Sequence, residues 1–183
     1  MIKLNKSVPF LLGLLSILIC GFIYGTVNAN PNDTPPSIEE MYAEVGYKSV
    51  KEAVKEFENH FKKDVKLPKI NPSIPFTHQF GRFYEDKEYN INDSLEIKFV
   101  NEKAVENHYK INIRPLKNKL IFKDKGNQEA YTLKNGQKAI YVEHQLFNFF
   151  VFENGNWQYM LGIDKRVSKV TPDTLFEIAN SIQ

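Results

Sequence analysis

Four histidines, His60, His78, His108 and His144, are the residues of this chain best suited to binding a metal or moving a proton. None pairs with another at i,i+4, the spacing that sets two imidazoles on one helical face, and no His-Glu-x-x-His run occurs. His60 falls in a helical pattern and His108 opens a strand, so any site using them must be assembled from distant elements. Nucleophile motifs are missing too: there is no Gly-x-Ser-x-Gly, no Ser-x-x-Lys after the N-terminal segment and no glycine-rich phosphate loop. Glu39-Glu40 and Glu85-Asp86 are sequence neighbours among polar residues, and read as charges of a helix start and a loop rather than an acid/base pair. Asn90 to Asp93 lacks the ligand spacing of a calcium loop. These residues assign no catalytic, cofactor-binding or metal-binding position, and the chain is read as a non-enzyme that needs no cofactor.

The residues that could do chemistry follow an address. Lys3 and Lys6 precede an apolar run from Val8 to Tyr24, interrupted only by Gly13, Ser16 and Gly21. Val27-Asn28-Ala29 then offers small residues to a signal peptidase, with cleavage before Asn30. The run is longer than the ~7–15 residues of an ordinary secretory segment and close to the ~18 of a spanning helix, so residues 1–29 are a signal peptide or an uncleaved anchor with its lysines inside. Cys20, the only cysteine, would suit a lipoprotein except that the branched Ile19 precedes it. Either way the remainder is expected to be secreted or held on the outer face of the cytoplasmic membrane, touching the membrane only through the N-terminal segment. It then carries no disulfide, thiol nucleophile or thiolate metal site, and its length of about 150 residues suffices for one core without staples.

Charge excludes one class of partner. Without Lys3 and Lys6, 22 basic residues balance 22 acidic ones, and acids interrupt the excesses at Lys62-Lys63 and Lys117 to Lys125. A nucleic-acid surface is not expected from such a pattern.

The elements that must position everything else are well marked. Residues 30–36 are polar and proline-rich, a tether. Residues 37–183 read as one α+β domain. Ser37 with Glu40 and Ser49 with Glu52 are capping boxes; the first helix ends at Gly46. The second carries Val50, Ala53, Val54, Phe57 and Phe61 on one face and Lys51, Lys55, Glu58 and Lys62 on the other. Leu67-Pro68, Asn71-Pro72 and Ile74-Pro75 then impose an extended path. Leu95, Ile97 and Phe99, and after the loop 101–107 Tyr109, Ile111 and Ile113, alternate with polar residues as half-buried antiparallel strands do. A further strand is expected at Leu120–Phe122. Asn135-Gly136 joins strands Tyr131–Leu133 and Ala139–Val142, and Asn154-Gly155 joins Phe147–Phe152 and Trp157–Ile163. Thr171 caps a last helix with Pro172 in its first turn and Leu175, Ile178, Ala179 and Ile182 on one stripe. The architecture expected is an antiparallel sheet with an N-terminal and a C-terminal helix packed against one of its faces.

Three stretches also carry a resemblance. Leu-Lys-Asn-Gly-Gln-Lys-Ala-Ile-Tyr (133–141), Asn-Gly-Asn-Trp-Gln-Tyr (154–159) and Thr-x-x-x-Leu-x-x-Ile-Ala-Asn-Ser-Ile (171–182), entered through the helix and Val-x-Leu-Pro at 53–68, resemble an uncharacterised extracytoplasmic domain of Firmicutes. That domain occurs in exported stand-alone proteins and at the C-termini of membrane-bound anti-sigma factors. The resemblance covers residues 49–183, brings no catalytic residues, and implies a binding or sensing role at the surface of a Gram-positive cell.

Phe147, Phe149, Phe150 and Phe152 make a strand apolar on both faces, either covered or exposing a patch for an apolar ligand, a peptide or cell-wall glycan. The leading expectation is therefore an exported, non-catalytic binding or interaction protein whose partner is a cell-surface protein or an apolar ligand. A second is a carrier of lipid or peptide held between the sheet and the helix at 50–62, which needs a cavity where Phe57 and Phe61 lie. A third is an enzyme whose cleft gathers two or more of the histidines.

Overall fold

Two capping boxes start the described chain. Ser37 and Ser49 accept from the backbone N–H of Glu40 and Glu52, whose carboxylates in turn accept from the serine N–H. They open helices α1 (Ile38–Glu44) and α2 (Val50–Phe61). The computed structural model describes residues 35–182 except 90 and 124. The expected signal or anchor, Cys20 and most of the tether lie outside the described residues. From Pro36 onward the chain forms one compact unit. Among the described residues no helix is long and apolar enough to cross a membrane.

Seven strands follow: β1 (His78–Tyr84), β2 (Ser94–Val100), β3 (His108–Pro115), β4 (Gln128–Thr132), β5 (Lys138–Val142), β6 (Phe147–Asn154) and β7 (Trp157–Asp164). All pairings are antiparallel, in the order β1-β2-β3-β7-β6-β5-β4. The chain thus builds one meander from an edge to the centre, crosses to the far edge, and builds a second meander back to meet the first at β3–β7. A 3-10 turn (Leu116–Asn118) begins the crossing, and helix α3 (Pro172–Asn180) closes the fold. Both hairpin connections and the Thr171 cap stand where the sequence sets them; Gly136 and Gly155 carry positive φ, while Asn135 and Asn154 do not, so neither Asn-Gly pair takes the doubly positive-φ turn expected.

The sheet has a thick and a thin side. On the thick side Leu95, Ile97, Tyr109, Ile111, Ile113, Phe150, Phe152, Trp157, Tyr159, Leu161 and Ile163 join Ala53 and Phe57 of α2 and Leu175, Ile178 and Ala179 of α3 in one buried cluster. The extended segment 63–77 runs across the same side. Val65 is buried in that cluster and Leu67, Ile74 and Phe76 pack against it. On the thin side α1 lays Tyr42 on Phe80 with ring centroids 4.2 Å apart, in a smaller cluster with Tyr47 and Val100. Because Phe80 alternates with Gly81, which faces α2, α1 and α2 lie on opposite faces of β1. One helix therefore departs from the expected one-sided arrangement.

Two further differences have physical reasons. β1 carries no clean alternation in its sequence (His-Gln-Phe-Gly-Arg-Phe-Tyr) because helices cover both of its faces. Leu120–Phe122 is not a strand. Its backbone is held by a side chain instead: the Gln158 amide accepts from the Leu120 N–H at 2.8 Å and donates to its carbonyl at 3.0 Å.

Candidate functional site

A concavity of about 650 Å³ opens on the thick side at the end of the sheet where both Asn-Gly turns lie. Four elements build it: the β4–β5 turn with Leu133, Lys134 and Asn135; the β6–β7 turn with Asn154 to Asn156; the end of α3 with Ala179, Asn180 and Ile182; and Asp64 with Lys66 from the extended segment. Its floor is Phe152, Trp157 and Tyr159. Phe152 and Tyr159 stack with planes 6° apart.

Hydrogen bonds hold that floor. The Trp157 indole N–H donates to the Asp64 carbonyl at 2.9 Å, and the Tyr159 hydroxyl donates to the Lys66 carbonyl at 3.0 Å. Burial pushes the Tyr159 phenol up to about 12, so it stays a neutral donor. Around the rim the amides divide into two groups. Asn135 is bonded to Gln137, and Asn180 holds the Lys134 N–H and the Phe176 carbonyl. Asn156 spends only its carbonyl oxygen, on the Lys63 ammonium at 2.9 Å, and the Asn154 side chain makes no bond to any described residue. Lys134 is paired with Glu177 at 2.7 Å. Among the described residues the site is therefore an apolar floor with uncommitted amides at its lip.

The histidines go to four places. His60, near the end of α2, sits 3.6 Å from both Glu85 and Asp93. His78 pairs with Glu39 of α1 at 2.9 Å. His108 sets its ring edge-on to Phe147, and His144 lies by the β5–β6 connection near Phe149. Among the described residues no three His, Cys, Asp or Glu are placed to hold a metal ion. The acids of the β1–β2 loop serve the loop itself. Asp86 accepts from the N–H groups of Tyr89 and Ile91, the former chiefly holding its carboxyl low, while Asp93 accepts from the Asp86 N–H at 2.8 Å.

The phenylalanine strand divides by alternation. Phe150 and Phe152 enter the core. Phe147 and Phe149 face the thin side, where the Lys110 ammonium lies 4.1 and 5.3 Å from their ring centroids. Gly162 permits this, since a Cβ there would stand 3.0 Å from both the Lys110 stem and the Phe149 ring. Beneath α2, Phe57 is fully buried, with Phe61, Phe83 and Trp157 rings at 4.9, 5.6 and 4.7 Å. Phe61, half-buried, instead lines with Trp157 a smaller concavity of about 320 Å³ beside the 3-10 turn.

Sequence reasoning assigned no site residue, although the phenylalanine strand it offered as a patch for an apolar ligand includes Phe152 of this floor. Trp157 and Tyr159 were legible as anchors of a strand, but the lip, Asn154, Asn156 and Lys66, joins residues far apart in the chain. Compared with known proteins, the chain matches no family model, no curated protein and no solved structure.

Proposed function

We propose that this chain is an exported, non-catalytic binding domain of the cell surface, and that its partner, a segment of a surface protein, occupies the groove floored by Phe152, Trp157 and Tyr159. The observation that carries this reading is the uncommitted amides, Asn154 and the Asn156 nitrogen, set at the lip of an apolar floor of about 650 Å³. Asn154 offers both an NH2 donor and a carbonyl acceptor and Asn156 its NH2 donor, which can meet the C=O and N–H of a peptide group, and the floor takes an apolar side chain. Export rests on Lys3, Lys6 and the apolar run to Tyr24. The resemblance to the Firmicutes extracytoplasmic domain adds support, because all three of its stretches, 133–141, 154–159 and 171–182, contribute residues to this groove. A carrier function would need another place than the interface that Phe57 fills.

Trp157 is the only tryptophan, so its emission reports the groove directly. Peptides released from the surface proteins of the host are expected to shift that emission saturably, and the Asn154→Ala, Asn156→Ala double variant to abolish the response while melting like the parent. A response unchanged in the double variant, or none with the unmodified protein, would sink the proposal.

A further inference from the structure

The sheet has two edges, and the fold treats them differently. At the β1 edge Gly81 exchanges both backbone hydrogen bonds with Lys48, 2.8 Å each way, so the α1–α2 connection closes the middle of that edge. At the other edge β4 pairs with β5 on one side and has no strand beyond it among the described residues. Flanking bonds identify the groups left over. The Asn127 carbonyl accepts from the Glu143 N–H at 3.0 Å, and the Leu133 N–H donates to the Gln137 carbonyl at 2.8 Å. Odd-numbered residues therefore bond β5, and the N–H and C=O of Gln128, Ala130 and Thr132 point away from the sheet. Ala130 and Thr132 are exposed, and the strand holds none of the proline, lysine or bulge that usually blunts an edge.

We propose that β4 pairs antiparallel with β4 of a second copy of this chain, about a twofold axis through Ala130. That register is self-complementary. Every outward N–H meets an outward carbonyl, Gln128 faces Thr132 of the second copy, Glu129 faces its Tyr131, and no like charges oppose. Centring on Glu129 would set two carboxylates against each other, and centring on Tyr131 would place Gln128 opposite the turn. A seam this short lies at the small end of specific interfaces, so the dimer forms reversibly with concentration. This inference is independent of the groove, which lies on the thick face and uses none of β4.

The test is sedimentation velocity of the full chain in mild detergent across a concentration series. Unmodified protein is expected to pass from monomer to dimer. Ala130→Lys and Ala130→Glu each place like charges on the axis and are expected to stay monomeric, while an equimolar mixture of the two regains the dimer. Position 130 is exposed, so both variants keep the parent melting curve. Amide exchange provides the same reading without a substitution: the Ala130 N–H slows as concentration rises. Unmodified protein that stays monomeric throughout overturns the proposal and leaves the edge to a strand of another protein. So does a dimer that either single variant forms as readily as the parent, or an Ala130 amide that exchanges at one rate at all concentrations.

Discussion

Tyr109 and Tyr47 show how differently two buried phenols can be treated. Tyr109 is fully buried on the thick side, and its hydroxyl has no hydrogen-bond partner among the described residues. Burial alone pushes its pKa up. Tyr47 instead donates to the Glu96 carboxylate. Burial would raise that carboxyl, but the Tyr47 hydroxyl first, then Lys98 and Arg82, hold it below its ordinary value. Opposite outcomes follow for one substitution. Tyr109→Phe is expected to be neutral or to stabilise by about 1 kcal/mol, because it removes an unsatisfied group, whereas Tyr47→Phe should cost about 1–3 kcal/mol by leaving a half-buried carboxylate short of a donor. Urea midpoints of the two variants decide it. His108 carries a pH dependence. Its pKa is lowered, mainly by burial and then by Lys98 and Lys110, with Asp164 and Glu96 opposing. The unfolded chain therefore binds the proton more tightly than the folded one, so stability is present above the ordinary histidine pKa near 6.5 and falls as pH drops through that value toward the folded one. His108→Gln should flatten that part of a stability-against-pH curve, measured by denaturant titration from neutral to mildly acid pH.

At the scale of elements, the docking of α2 depends on one missing side chain. A Cβ at Gly81 would stand 2.8 Å from the Ala53 Cβ and 2.9 Å from the Val50 Cα. The second contact is helix backbone and cannot swing aside. Gly81→Ala is expected to cost about 1–3 kcal/mol, and Ala53→Gly should not restore it, since only the first clash is relieved. A double-mutant cycle on denaturation midpoints tests this. Gly162→Ala, whose close neighbours are the Lys110 stem and the Phe149 ring edge rather than helix backbone, should cost less. The N-terminus of α2 is a simpler matter: Ser49→Ala breaks the capping box and should lose about 1 kcal/mol. That cap was legible because Ser49 and Glu52 stand three residues apart and use only each other. β1 was not legible, since covering both its faces erased the alternation by which half-buried strands are recognised.

For the whole molecule, Trp157 is the joint of the core. It meets Phe57 of α2 at 4.7 Å, ties down the extended segment through Asp64, and starts β7, the strand that joins the two meanders. Trp157 emission and far-UV circular dichroism are therefore expected to report one coincident unfolding transition, and separate transitions would show that the meanders melt independently. What the sequence determined by itself is whatever a few neighbouring residues can enforce: the Ser37 and Ser49 boxes, the Thr171-Pro172 helix start, the Asn135-Gly136 and Asn154-Gly155 turns, and the alternation of β2 and β3. Each depends on hydrogen bonds or periodicity within a few positions. Tertiary structure alone decided the pairing of β3 with β7, the side of the sheet that α1 takes, the loss of Leu120–Phe122 as a strand to the Gln158 amide, and the groove. Those outcomes compare the burial and hydrogen bonding of groups tens of residues apart, such as Trp157 with Asp64 and Gln158 with Leu120. No local pattern carries that sum.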